Sequence, residues 1–193
     1  MSPIITQSAI RRRKKSHPRT GKQSAETKSA ADGPAPQALA PPEAEMTRRF
    51  RTYVDDGFPY LVAADGAGIQ GYAYAGAFRP RRAYRFTVEN SVYVHPDAHR
   101  RGVGRALLEA LVRECAAMGF RQIVAVIGDG ARHMASVRLH ESLGFTHAGT
   151  MRGTGYKHGQ WLDTVMMQLS INGGDSLPPD PASLPERKFR GEV

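Results

Sequence analysis

A glycine loop, a strand glutamate and a helix histidine are the residues in this sequence whose types and positions could do chemistry. The run His99-Arg100-Arg101-Gly102-Val103-Gly104-Arg105 joins a stretch of strand character to one of helix character. At such a junction the first backbone N–H groups of the helix lack partners and favour an anion. The glycines let that backbone approach a ligand closely, and Arg100, Arg101 and Arg105 add positive charge suited to a pyrophosphate. The loop lacks the Lys-Ser/Thr ending of a P-loop, and its single G-x-G is not a full dinucleotide fingerprint. An ordinary tight turn with solvated arginines fits it equally well. Glu89 is an acid set in an otherwise apolar or neutral strand, so it is either an edge carboxylate facing water or a proton acceptor. His140 lies in a short helix, either packed and satisfied by a neighbour or placed to move a proton near neutral pH.

The elements that must hold these groups follow from periodicity. Met46, Phe50 and Tyr53 recur near helical spacing between Glu43 and Val54. Pro59 to Ala64 and Ile69 to Phe78 read as a hairpin around the turn Asp65 to Gly68, with Tyr72 and Tyr74 on one face. A basic loop, Arg79 to Arg85, precedes a strand from Phe86 to Val94 that Pro96 and Asp97 stop. Leu107, Leu108, Leu111, Val112 and Cys115 mark one face of a helix from Gly104 to Met118, which Gly119 ends. Gln122 to Ile127 is a nearly continuous apolar run, as in a strand buried on both faces. A short helix from Ala135 to Leu143 and strands near Phe145 to Met151 and Thr164 to Ser170 complete the pattern. This alternation predicts an α/β (α+β) fold, a mixed central sheet flanked by helices.

A chain of 193 residues suits one domain with tails. Residues 1–42 read as a disordered basic and Pro/Ala-rich tail, 43–171 as the domain, and 172–193, with Pro178, Pro179, Pro181 and Pro185, as a disordered polar tail. Residues 1–40 hold eight basic side chains and two acidic ones, hence +6 of the formal +9. The charge that would suggest nucleic acid is thus concentrated outside the domain, and no aromatic residues interleave with it. The lone Cys115 excludes an internal disulfide and a cysteine-based zinc site. No metal is called for, and the cytoplasm is the expected location. No apolar run is long enough for a membrane span.

The register of several blocks resembles the GNAT superfamily of N-acetyltransferases, specifically its phosphinothricin N-acetyltransferase branch. The blocks are Glu89-Asn90-Ser91-Val92-Tyr93-Val94-His95-Pro96, Gly102-Val103-Gly104-Arg105-Ala106-Leu107-Leu108, Ala125-Val126-Ile127-Gly128, Ser136 to Phe145, and Gly155 to Asp163. The resemblance implies acetyl-CoA as co-substrate and a small amino acid such as phosphinothricin or methionine sulfoximine as acceptor. It implies that Val92, Tyr93 and Val94 lend backbone groups to the pantetheine arm, and that the pyrophosphate rests on the N–H groups from Arg100 to Arg105. It implies Glu89 as base, and it places His140 where many members carry the tyrosine that protonates coenzyme A. Substrate selection falls to Arg79, Arg82 and Tyr84, joined by Arg81, and to Lys157 and Trp161, joined by His158. A homodimer is the assembly the resemblance suggests.

The sequence also departs from the family. His99 replaces the Gln or Arg that opens the cofactor motif, and His133 stands where an asparagine contact to the cofactor is expected. The usual first strand and helix are expected to be lacking, which would leave the sheet an exposed edge. Two other readings therefore stay open: a truncated relative that binds acetyl-CoA without turnover, and a nucleic-acid binder acting through Arg11 to Lys15.

Overall fold

Strands β2 (Tyr60–Asp65), β3 (Gly68–Ala77) and β4 (Thr87–Val94) each present small or branched apolar residues on one face, with tyrosines on the other face. Side chains alternate along a strand, so one register sends Leu61, Ala63, Ala73, Ala75 and Val88 together into the interior. In the computed structural model, which describes residues 4–7 (as backbone), 42–129 and 134–193, helix α2 (Val103–Ala117) lies over that face. Its Leu107, Leu108, Leu111 and Cys115 are wholly buried. Alanines beneath the helix let it approach closely. Each leucine so buried contributes about 1.5–3 kcal/mol.

Helix α1 (Glu43–Asp55) packs on the opposite face of the sheet, where Phe50 meets Tyr60 edge-on at 4.8 Å and Tyr53 meets Tyr74 at 4.4 Å. Gly76 makes this possible, because a Cβ there would stand 2.5 Å from the Tyr53 ring. Strand β5 (Gln122–Gly128) pairs parallel to β4 through the α2 crossover. Helix α3 (Met134–Glu141) follows, then the long hairpin of β6 (Thr146–Lys157) and β7 (Gln160–Ser170). With β1 (Ile4–Gln7) at one edge, the seven-stranded sheet runs β1-β2-β3-β4-β5-β7-β6. The mixed sheet flanked by helices is the expected fold.

Cys115 is buried on the inner face of α2, and burial pushes its thiol up to about 12. The native protein is therefore expected to resist a thiol-labelling reagent at pH 8 and to react once unfolded. Rapid labelling of the native chain would contradict this packing.

Three expectations differ from what is observed. The β6–β7 strands extend beyond Phe145–Met151 and Thr164–Ser170 and meet at a tight turn, with His158 and Gly159 both at positive φ. The sheet edge beside β2 is covered by β1 (Ile4–Gln7), which pairs antiparallel with Ile4 opposite Ala64 and Gln7 opposite Leu61. Four residues inside a basic arm are too short a strand signal to stand out. Of the tail 1–42, residues 1–3 and 8–41 lie outside the described residues.

The segment 172–193, expected as a disordered tail, carries helix α4 (Leu184–Phe189) docked on the domain. Asn172 donates to the Ala116 and Phe120 carbonyls at 2.8 and 2.9 Å, and Leu184 N–H donates to Met118 O at 2.9 Å. Arg85 donates to Glu186 Oε1 at 3.0 and 2.7 Å and lies over the Phe86 and Phe189 rings at 4.5 and 4.6 Å. Composition hid this docking, because its few apolar residues gain their partners from distant strands and loops.

Candidate active site

The β4–β5 ladder has its last rung at Asn90 opposite Ala125, although β4 runs on to Val94 and β5 to Gly128. Beyond that rung the strands part around a cleft of about 1050 Å³. Val92, Tyr93 and Val94 line it from one strand, and Val126, Ile127 and Gly128 from the other. Arg100, Gly102, Val103, Gly104 and Arg105 line it from the start of α2. Arg100 and Gly102 both take positive φ, 58° and 82°, so the chain turns sharply into the helix. Ala106 N–H makes the first helical bond, to Gly102 O at 3.0 Å. The N–H groups of Val103, Gly104 and Arg105 are thereby left for a ligand. Arg105 also reaches Ser142 Oγ at 3.2 Å and Glu109 at 2.9 Å. Arg101 is not brought to the cleft: its guanidinium reaches Gln70 Oε1 and Asp65 Oδ2, each at 3.4 Å. His133 lies outside the described residues.

On the other face of β4 stands Glu89, opposite Gly76 of β3 and half-buried. Burial holds its carboxyl above the ordinary range, and the nearby Arg79 charge opposes that rise. Around it the sheet carries a floor of aromatic rings. Tyr72 stacks on Tyr93 at 4.8 Å, Tyr60 on Tyr74 at 5.3 Å, and the Tyr53 and Tyr74 side chains are hydrogen-bonded. Burial pushes the phenols of Tyr60 and Tyr93 up to about 12, so both stay neutral at pH 7. Glu89 is a carboxylate on this face whose proton affinity burial raises.

His140 is 4% exposed and stands edge-on to Phe145 at 4.9 Å. Its Nδ1 lies 2.8 Å from the Ser136 carbonyl, which can only accept, so Nδ1 carries the proton. Nε2 is then the acceptor and takes an N–H from Asn90 Nδ2 at 2.9 Å. Burial lowers the imidazole pKa and keeps the ring neutral. The ring's single proton is thus directed at its own helix.

Arg79 and Arg82 line a separate cavity of about 320 Å³ with Phe58, Thr87 and Phe189. Tyr84 is exposed, edge-on to Phe78 at 6.2 Å. At the β6–β7 tip Lys157 lies opposite Gln160 and Trp161 opposite Tyr156, where Trp161 is 70% exposed and its ring lies 5.0 Å from that of Tyr156. Sequence reasoning passed over Asn90 and Ser136 as site residues and did not assemble the tyrosines of separate strands. Asn90 sits beside Glu89 in the block already singled out, but a side chain's partner across fifty residues leaves no local signal.

A parted sheet ending in free helix N–H groups suits a long, thin ligand with a pyrophosphate at one end and a reactive group at the other. The class of protein it defines is an acyl-coenzyme A transferase. Residues 24–166 match the acetyltransferase (GNAT) domain family. The chain is 45% identical over 144 residues to a phosphinothricin N-acetyltransferase of Alcaligenes faecalis, covering 75% of this chain and 73% of that protein. It is 44% identical over 130 residues to an L-methionine sulfoximine/L-methionine sulfone acetyltransferase of Pseudomonas aeruginosa, covering 67% and 74%. A phosphinothricin acetyltransferase from Sinorhizobium meliloti, solved in complex with AcCoA, superposes with a TM-score of 0.71 at 50% identity, covering 76% of this chain and 78% of that one. The chain belongs to the GNAT family of N-acetyltransferases, and acetyl-CoA is its co-substrate.

Proposed function

We propose that the chain acetylates the α-amine of a small amino acid carrying a second strongly polar head, with phosphinothricin and methionine sulfoximine as the first candidates. The observation that carries this reading is Glu89, a half-buried carboxylate with raised proton affinity, one residue from the point where β4 and β5 part. A base so placed matches what amine acetylation needs. The named activities of the relatives supply the class of acceptor.

Acetyl-CoA brings the activated thioester. The N–H groups of Val103, Gly104 and Arg105, with the Arg100 and Arg105 charges, hold its pyrophosphate, and the edges of Val92 to Val94 hold its arm. Glu89 takes one proton from the substrate ammonium, freeing the amine for attack on the thioester carbonyl. The nitrogen loses its second proton as the amide forms, and the departing thiolate gains one, so the products are amide, thiol and one released proton. Arg79 and Arg82, with Tyr84, hold the carboxylate and the second polar head; two guanidinium groups match two anionic or acceptor-rich groups. A homodimer covering the exposed Tyr156–Trp161 pair, with Lys157 beside it, is the proposed assembly. No helix among the described residues is long and apolar enough to cross a membrane, and use of acetyl-CoA points to the cytoplasm.

The purified chain with acetyl-CoA and L-methionine sulfoximine or L-phosphinothricin is expected to release free thiol in step with N-acetylated product. Absence of release with these and with other amino acids would sink the proposal.

A further inference from the structure

Asn90 is 6% exposed, and its two polar atoms meet different fates. The amide nitrogen is fixed on His140, whose own proton is fixed on Ser136 O. Because Nε2 can only accept in that state, the amide cannot be turned over without placing oxygen against a lone pair. Oδ1 therefore has one orientation, and there it has no hydrogen-bond partner among the described residues. A buried acceptor left unmade is unfavourable. Asn90 also forms the last β4–β5 rung and lines the cleft at the point where the strands part. The side chain that carries the unmade acceptor therefore lines the inner end of the cleft, away from the charged loop at the start of α2, with Oδ1 itself closed to water.

Acetyl-CoA bears its pyrophosphate at one end and its thioester at the other, with an amide N–H two methylenes from the sulfur. If the charged loop holds the first, the inner end receives the second. We propose that Asn90 is a positioning residue for the acyl donor: its Oδ1, oriented by His140, accepts the amide N–H nearest the sulfur and so sets the depth of the thioester. This rests on the cleft being the acetyl-CoA site. It gives His140 a role in orientation, acting through Asn90.

Calorimetry separates this role from general support of the fold. Asn90→Leu keeps the volume and removes the acceptor. It is expected to weaken CoA and acetyl-CoA alike by about tenfold, the worth of one such bond. Adenosine 3′,5′-bisphosphate, which lacks the arm, is expected to bind unchanged. His140→Phe is expected to reproduce the selective loss, and the double variant to lose no more than either single one. Equal weakening of the bisphosphate, unchanged CoA binding, additive losses, or an effect on CoA without one on acetyl-CoA would each overturn the proposal.

A measurement on the unaltered chain guards against variants that do not fold. The Asn90 side-chain amide resonance is expected to shift on adding CoA and to stay in place on adding the bisphosphate; no shift with CoA overturns the proposal. Failure of the unaltered chain to bind CoA would remove the reading of the cleft itself, whereas normal binding by Asn90→Leu would remove only the role of Asn90.

Discussion

Glu89→Gln is expected to lower kcat by about 10²- to 10⁴-fold, the usual contribution of a positioned base, while calorimetric affinity for acetyl-CoA is unchanged. Gln keeps the shape and hydrogen-bonding reach of the side chain, so the loss isolates proton transfer. The acid limb of the pH profile follows from burial. Because the carboxyl is held above 4.5, activity should begin to fall at higher pH than for a solvated glutamate, and that limb should vanish in the variant.

The stability consequence has the opposite sign. A carboxyl whose folded pKa is raised binds its proton more tightly in the native state than in the unfolded one. Its contribution is thus most favourable below the unfolded value and is lost as pH rises through the folded value. At pH 7 the charged form is a burden, so Glu89→Gln should melt at the same temperature as the unaltered chain or above it, with the gap closing toward pH 4. A variant that loses activity and also melts lower at pH 7 would mark Glu89 as a structural residue.

Ending the chain after Ser176 is expected to raise KM for the amino acid by about tenfold or more, in line with the sensitivity of catalysis to misplaced binding groups. Acetyl-CoA affinity should hold. Arg85 ends the basic loop, and its partners Glu186 and Phe189 belong to α4, as does the ring under Arg82 at 5.4 Å. Lys188 also donates to Asp56 O and lies over Phe58 at 4.9 Å, tying α4 to the end of α1. Removing the segment uncovers Phe58 and Phe120, stacked at 6.0 Å. A loss of about 3 kcal/mol of burial corresponds to a fall in Tm of about 6–12 degrees. Glu186→Gln, which keeps the helix and neutralises the pair, should show a smaller rise in KM with little change in Tm. An unaltered KM in both variants would show that α4 does not hold the loop.

These contrasts mark what was legible in the sequence. Alternation and helical spacing showed β2 to β5 and α2, because each of those elements buries a face whose period is local. The glycine loop was legible because backbone geometry demands particular residues there, as the positive φ of Gly102 shows. Arg101 was placed with its neighbours by charge, whereas its ion pair with Asp65 is made by a hairpin thirty-six positions away. The docking of α4 and the contact between Asn90 and His140 are likewise products of tertiary meeting. Tyr60, Tyr74 and Tyr93 each look ordinary in sequence, and their shared face exists only once the β2–β3–β4 register is set.

That register bears on how such a chain can change over time. Glu89 and Asn90 are neighbours on one strand that point to opposite faces of the sheet, the first toward the tyrosines and the second toward α3. One residue inserted between Thr87 and Glu89 would exchange them, sending the carboxylate toward His140 and the next side chain toward the amine side. Replacements within β4 can therefore be sampled gradually, but gains and losses of length there are all or nothing. The turns at 66–67 and 158–159 can absorb an insertion with both faces intact, and divergence in length among descendants should collect at those places.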